Sequence, residues 1–258
     1  MIPYCHKNIF QSGMWKARGT KKSMALREAG LATKRNILSV SVRLFLQNGY
    51  RNTTIKQIMD QSTGNSISGF VNAFGSKEGI LLELVKAMFS GQFNAAENAL
   101  GQEDEPLYLY AVETSIQLTL TELNENLREI YTQAYSLPST CDYIFMNTTE
   151  KTQKIFKQYL PELDSLDFYY LEIASAGIMR NFMAKKCDVI FSLDKKLECF
   201  LSAAFNVYDI DKEKQKEVIK FVHSLDIKTI AEKVMHQLFE MLEMKFDFKL
   251  DEDSMKSE

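Results

Sequence analysis

Apolar residues recur at three- and four-residue spacing along most of the chain, and no stretch keeps the alternation of a half-buried strand. Over residues 33–48, Ile37, Val40, Leu44 and Phe45 form one stripe, which predicts a helix with a single buried face. Asn48-Gly49 ends it, because glycine accepts the left-handed backbone of a helix stop. A short second helix follows. Thr54 and Gln57 stand at the spacing of a capping box, and Ile55, Ile58 and Met59 make the buried side. Ser62-Thr63-Gly64-Asn65 reads as a tight turn. Ser66 then caps a third helix ending at Phe74, with Phe70 and Phe74 one turn apart. Gly75-Ser76 closes it. A fourth helix, over about 77–99, carries Ile80, Leu81, Leu84, Val85, Met88 and Phe89.

Ten of the eleven glycines lie at or before Gly101, and beyond that point only Gly177 and the prolines Pro106, Pro138 and Pro161 interrupt the helical pattern. The remainder predicts helices over 106–135, 138–159, 165–185, 193–207, 211–223 and 226–246. The fold class is therefore all-α: an N-terminal three-helix head followed by a C-terminal helical bundle. The expected divisions are a basic, flexible arm over 1–32, the head over 33–80, the bundle over 81–250 and a frayed acidic tail over 251–258. Met14 and Met24 are further candidate starts of translation.

Composition narrows the class. The 258 residues suit one large or two modest domains, and 45% hydrophobic with 25% charged residues excludes global disorder. No uncharged apolar run is long enough to span a membrane. Lys7, Lys16, Arg18, Lys21 and Lys22 break up the start, so no secretory signal is expected. Cys5, Cys141, Cys187 and Cys199 form no C-x-x-C pair, which argues against a zinc module or a disulfide framework and for a reducing, cytoplasmic setting. His6, His223 and His236 have no metal-ligand spacing, and no cofactor fingerprint or nucleophile motif is present. No cofactor, no metal and no enzymatic activity are expected.

Charge divides the chain at the same place as glycine. Residues 1–86 hold thirteen Lys/Arg against four Asp/Glu, and the rest holds 18 against 30. A basic head on an acidic body points to a polyanionic partner for the head. Helix two, a glycine-containing turn and a short helix three make the helix-turn-helix pattern, in which the third helix is offered to the major groove. Ser66, Ser68, Gly69 and Asn72 are its outward candidates, and Asn72 has the amide that can read adenine. Lys34, Arg35, Lys21 and Lys22 are candidate phosphate contacts. Thr54 is a cap that can also present a helix N-terminus to phosphate.

From Thr33 to Leu82 the chain resembles the DNA-binding region of TetR-family (tetracycline-repressor-type) transcriptional regulators. The matching residues include Asn48-Gly49-Tyr50, Thr53-Thr54-Ile55, Ile58, Gly64, Ser66, Phe74 and Ser76-Lys77-Glu78. The resemblance implies a homodimer whose heads bind palindromic double-stranded operator DNA. It also implies a divergent body holding the dimer interface and a pocket for a small apolar or amphipathic effector, most simply one that releases a repressor. It makes Lys77 a phosphate contact. The run Ile67-Ser68-Gly69-Phe70-Val71-Asn72-Ala73-Phe74 departs from the family pattern, which has a basic residue early and an aromatic stretch ending in His-Phe. Gly69 also costs roughly 1 kcal/mol of helix preference.

In the body, Tyr108, Tyr131, Tyr135, Tyr143, Phe156, Tyr169 and Phe182 are candidate pocket walls, or plain core. Arg180 stands in an apolar helix and suits an anionic group or an ion pair. Ile230, Val234, Leu238, Met241 and Leu242 form a stripe suited to a dimer seam or to packing within the chain. The alternative function is a helical small-molecule-binding protein whose altered recognition helix no longer reads DNA.

Overall fold

The computed structural model describes residues 21–63, 66–100 and 105–250. Among them the chain forms eleven helices and no strand. The acidic tail, most of the basic arm and the turn residues Gly64 and Asn65 lie outside the described residues.

Helix α1 (Lys21–Asn48) begins twelve residues before the expected start. Glu28, Gly30, Leu31 and Ala32 are exposed there, so this stretch carries no buried stripe for periodicity to detect. Its second half is enclosed: Ile37, Val42, Leu44, Phe45 and Leu46 are buried. Gly49 ends it at φ 83°, and its N–H donates to the Phe45 carbonyl at 3.1 Å. Helices α2 (Ile55–Gln61) and α3 (Ile67–Phe74) cross beside it. Ile58 and Phe70 are their fully buried anchors, each contributing about 1.5–3 kcal/mol by burial. Helix α4 (Lys77–Leu100) leaves the head and packs on the body.

Helix α5 (Pro106–Leu123) is the axle of the body. Nearly all of it is buried, and α4, α6, α7, α8, α9, α10 and α11 all contact it. A helix enclosed on every side must satisfy its own polar groups. Thr114, Thr119 and Thr121 do so by donating their hydroxyls to carbonyls one turn back. The single helix expected over 106–135 is two. Asn124 closes α5 with extended backbone and caps α6 (Glu125–Ala134) by accepting from the Leu127 N–H at 3.0 Å. Asparagine favours this capping over helix interior because its side chain competes for backbone amides.

Four helices follow the sequence expectation to within one residue at nearly every end: α8 (Ser165–Ala184), α9 (Leu193–Val207), α10 (Lys212–Ser224) and α11 (Ile227–Phe246). Helix α7 (Pro138–Phe156) ends three residues early. Asp164, Ser192, Asp211 and Asp226 cap the N-termini of the four. The α11 stripe packs within the chain: Val234, Leu238 and Leu242 are buried, and α11 lies on α5, α4 and α1. One hydrophobic cluster runs through head and body.

Candidate functional site

The head is built from caps. The Thr54 hydroxyl accepts from the Gln57 N–H at 3.2 Å, and Gln57 Oε1 accepts from the Thr54 N–H at 2.7 Å. Thr53 lies buried behind it and donates its hydroxyl to the Gly49 carbonyl at 2.8 Å. Asn36 of α1 accepts from the Thr63 N–H at 2.9 Å, tying the end of α2 to α1. Arg43 donates to Gln61 Oε1 at 2.7 Å. Ser66 caps α3 by accepting from the Gly69 N–H at 3.1 Å, and its hydroxyl also pairs with that of Ser68 at 2.9 Å.

Helix α3 buries Phe70 and turns Ile67, Ser68, Val71 and Asn72 to solvent. Ser68 and Asn72 therefore stand outward as expected, while Gly69 is half-buried over the Ser66 cap. Sequence reasoning overlooked Ile67 and Val71, which are 69% and 51% exposed. Periodicity hides them: Ile67, Phe70, Val71 and Phe74 stand at i, i+3, i+4, i+7, the spacing of one buried face, and only the packing of α3 leaves Ile67 and Val71 open. Arg35 is exposed, and Lys34 lies half-buried with its ammonium 5.4 Å from the Phe74 ring centroid. Lys21 and Lys22 fall on α1, and their side chains lie outside the described ones.

Lys77 turns inward. Its ammonium donates to the Tyr50 carbonyl at 2.8 Å and the Thr53 carbonyl at 2.9 Å, and sits 4.2 Å from the Tyr50 ring centroid. Burial lowers its pKa, and Glu129 opposes the shift. In this geometry it fastens the start of α4 to the turn before α2.

The body holds the head at two points. Asn126 of α6 donates to the Leu46 and Gln47 carbonyls at 2.8 and 3.1 Å, satisfying the open end of α1. Glu129 accepts from the Arg51 N–H at 2.9 Å. On the other side, Glu78 of α4 accepts from the Ser139 N–H and hydroxyl at the start of α7, at 2.9 and 2.7 Å. A cleft of about 690 Å³ opens beside α6 between head and body, lined by Arg51, Arg128, Glu129 and Arg180 among others. Arg180 donates its Nε to the Ser136 hydroxyl at 2.7 Å.

A second, smaller cavity, of about 40 Å³, lies inside the body. Three helices line it with the same spacing. Helix α5 gives Tyr110, Glu113, Thr114 and Gln117. Helix α7 gives Thr148, Lys151, Thr152 and Ile155. Helix α8 gives Glu172, Ser175, Ala176 and Met179. Each set is one i, i+3, i+4, i+7 face. Phe89 of α4 and Tyr135 at the end of α6 complete the wall. Burial, opposed by Lys151 and reinforced by Glu172, pushes the Glu113 carboxyl up to about 7. Burial likewise pushes Glu172 up to about 7, against contacts with Thr148, Tyr208 and Thr152. Tyr110 donates or accepts with Ser175 at 3.1 Å, and Tyr135 meets the Gln117 amide at 3.4 Å.

Of the seven aromatic candidates, Tyr135 lines this cavity and the others are placed elsewhere. Tyr108 donates to Glu217 at 2.5 Å beside α10. Tyr131 is core. Tyr143 lies 5.9 Å from the Lys86 ammonium. Phe156 stacks on Tyr208 with centroids 3.8 Å apart. Tyr169 meets Phe145 and Tyr170 edge-on, and Phe182 packs on Phe191 and Phe200. Aromatic type alone does not distinguish wall from core, because both need apolar bulk.

A capped short helix held outward by α1 and joined through a turn to a braced partner helix defines a helix-turn-helix DNA-binding protein. Residues 37–84 match the family model of bacterial regulatory proteins, tetR family, so the head is that of a TetR-type transcriptional regulator. No curated protein matches the chain closely enough to place it further. No described helix is long and apolar enough to cross a membrane, and the described residues hold no metal-binding cluster.

Proposed function

We propose that the protein is a ligand-responsive repressor that binds a palindromic operator as a homodimer and is released by a small-molecule effector. The observation that carries this reading is the course of α6. Its C-terminal end supports Tyr135 at the inner cavity, and its N-terminal end holds the head through Asn126 and Glu129. Ten residues span about 15 Å. An occupant that pushes on Tyr135 tilts a rigid rod whose other end grips α1. The two states then differ in head placement, which is the differential contact that coupling between sites requires.

In the DNA-bound state Ser68 and Asn72 meet base edges, and Ile67 and Val71 pack on thymine methyl groups. Lys34 and Arg35 meet phosphates, as do the N-termini of α2 and α3 capped by Thr54 and Ser66. Lys77 positions the turn and adds charge behind it. The dimer seam is α8, where Leu166, Tyr170 and Ile173 are 55%, 57% and 41% exposed at i, i+4, i+7 spacing. Such a stripe on a soluble helix suits a second copy related by a twofold axis.

Fluorescence anisotropy with DNA flanking the protein's own gene tests the reading, run across a salt series with random DNA as competitor. Sequence-preferring binding that weakens steeply with salt supports it. The second reading is a ligand-binding protein without operator recognition, favoured by the exposed Ile67 and Val71 where polar readers are usual. Equal affinity for flanking and random DNA at every salt concentration selects that reading.

A further inference from the structure

We propose that the inner cavity binds the positively charged head of a small organic amine, with Glu113 and Glu172 as its counter-charges. The inference rests on the reading of the body as the sensing part, and it names the chemical class sensed. Its basis is a placement that folding alone does not favour. Two carboxyl groups, 8% and 6% exposed, face one small cavity from neighbouring helices. Burying an ionised carboxylate without a partner is strongly unfavourable, and Thr114, Thr119 and Thr121 of α5 show a remedy closed to a carboxylate, donating to carbonyls of their own helix.

Glu172 has local support, since the Tyr208 hydroxyl donates to it at 3.2 Å. Glu113 differs: no described side chain or amide donates to it, although it lines the cavity beside Gln117. The cation on the same wall is Lys151, half-buried and within reach of both Glu113 and Glu97 on α4. Two carboxyls against one ammonium leave the cavity one positive charge short when both are ionised. Tyr110 and Tyr135 remain neutral phenols, because burial raises both. At about 40 Å³ the space admits groups of water or ammonium size. The charged head of the ligand therefore enters, and its apolar part lies along Phe89 and Tyr135. A phenyl face beside an ammonium adds cation–π attraction.

The chemistry predicts proton release. Below about pH 7 the carboxyls are held neutral. An entering ammonium favours the ionised form, so a carboxyl O–H gives its proton to the buffer.

The test uses the full-length protein and three ligands of similar shape and different charge: benzylamine, benzyl alcohol and phenylacetate. Isothermal titration calorimetry at pH 6.5, in two buffers of different ionisation enthalpy, reads affinity and proton release together. Benzylamine is expected to bind at least tenfold more tightly than the alcohol, with protons released, and phenylacetate is expected not to bind. Glu113→Gln is expected to keep the fold, weaken benzylamine at least tenfold and lessen the proton release. Equal binding of amine and alcohol, tighter binding of phenylacetate, absence of benzylamine binding or an unaltered Glu113→Gln variant each overturns the proposal. Binding is read without DNA. Amine binding without operator recognition thus removes the repressor reading alone, and operator recognition without amine binding removes this inference alone.

Discussion

Replacing Thr54 by alanine removes the hydroxyl that accepts the Gln57 N–H and leaves α2 uncapped. Urea unfolding is expected to show a loss of about 1 kcal/mol. Lys196 stands at the opposite end of the scale. It is fully buried and reaches Glu122 at 2.5 Å and the Lys185 carbonyl at 2.6 Å. Burial alone would raise the Glu122 pKa. Lys196, the Cys187 N–H and Arg128 outweigh it and bring the net value below the ordinary one. Lys196→Ala leaves that carboxylate without its main partner, and a loss of about 3–5 kcal/mol is expected in the same measurement. The pH dependence runs in two directions. The lowered Glu122 contributes stability that is present above its unfolded pKa and lost as pH falls through the folded value. Glu113 and Glu172 are raised from 4.5 to about 7, so the native state holds extra protons between those values. Their contribution is full below 4.5 and lost as pH rises through 7. Calorimetric Tm is expected to fall between pH 5 and pH 8, and Glu113→Gln to flatten that fall. The Thr54–Gln57 cap was legible in the sequence because four consecutive residues complete it. The Glu113 environment was not, because it exists only where α8 comes beside α5.

At the scale of the element, α6 connects cavity and head, and its separate identity depends on Asn124. The sequence reading ran one helix through this point because apolar spacing continues across it. Only the approach of α1 to Asn126 and Glu129 makes a distinct short helix useful here. Asn126→Ala removes two donated hydrogen bonds to the end of α1. In an anisotropy titration this variant is expected to retain operator binding while benzylamine shifts its affinity by less than half as much, in logarithmic terms, as in the parent protein. Helix α1 carries a related lesson. Residues 28–32 are exposed, and an exposed stretch of helix shows no apolar period. Helices α8 to α11 were read nearly to the residue, because an Asp or Ser cap and a regular stripe act together within each.

At the scale of the molecule, the basic head and acidic body make association with DNA electrostatic. Log affinity is expected to fall linearly with log salt, and Arg35→Ala to reduce the slope by about 1, the signature of one lost phosphate contact. In the proposed homodimer, the pairing of the heads depends on α8. Tyr170→Glu places a charge in the exposed stripe and is expected to yield a monomer by light scattering, with operator affinity reduced at least tenfold. The sequence by itself determined the all-α class, the caps and turns of the head and the sorting of charge between its parts, since these follow from neighbours within a few residues. Tertiary structure alone decided that the polar faces of α5, α7 and α8 meet around a cavity, that the α11 stripe packs inward while that of α8 remains open, and that Lys77 turns to backbone carbonyls. Periodicity tells which residues share a face of a helix. Which face meets which is settled by the packing of the whole chain around α5.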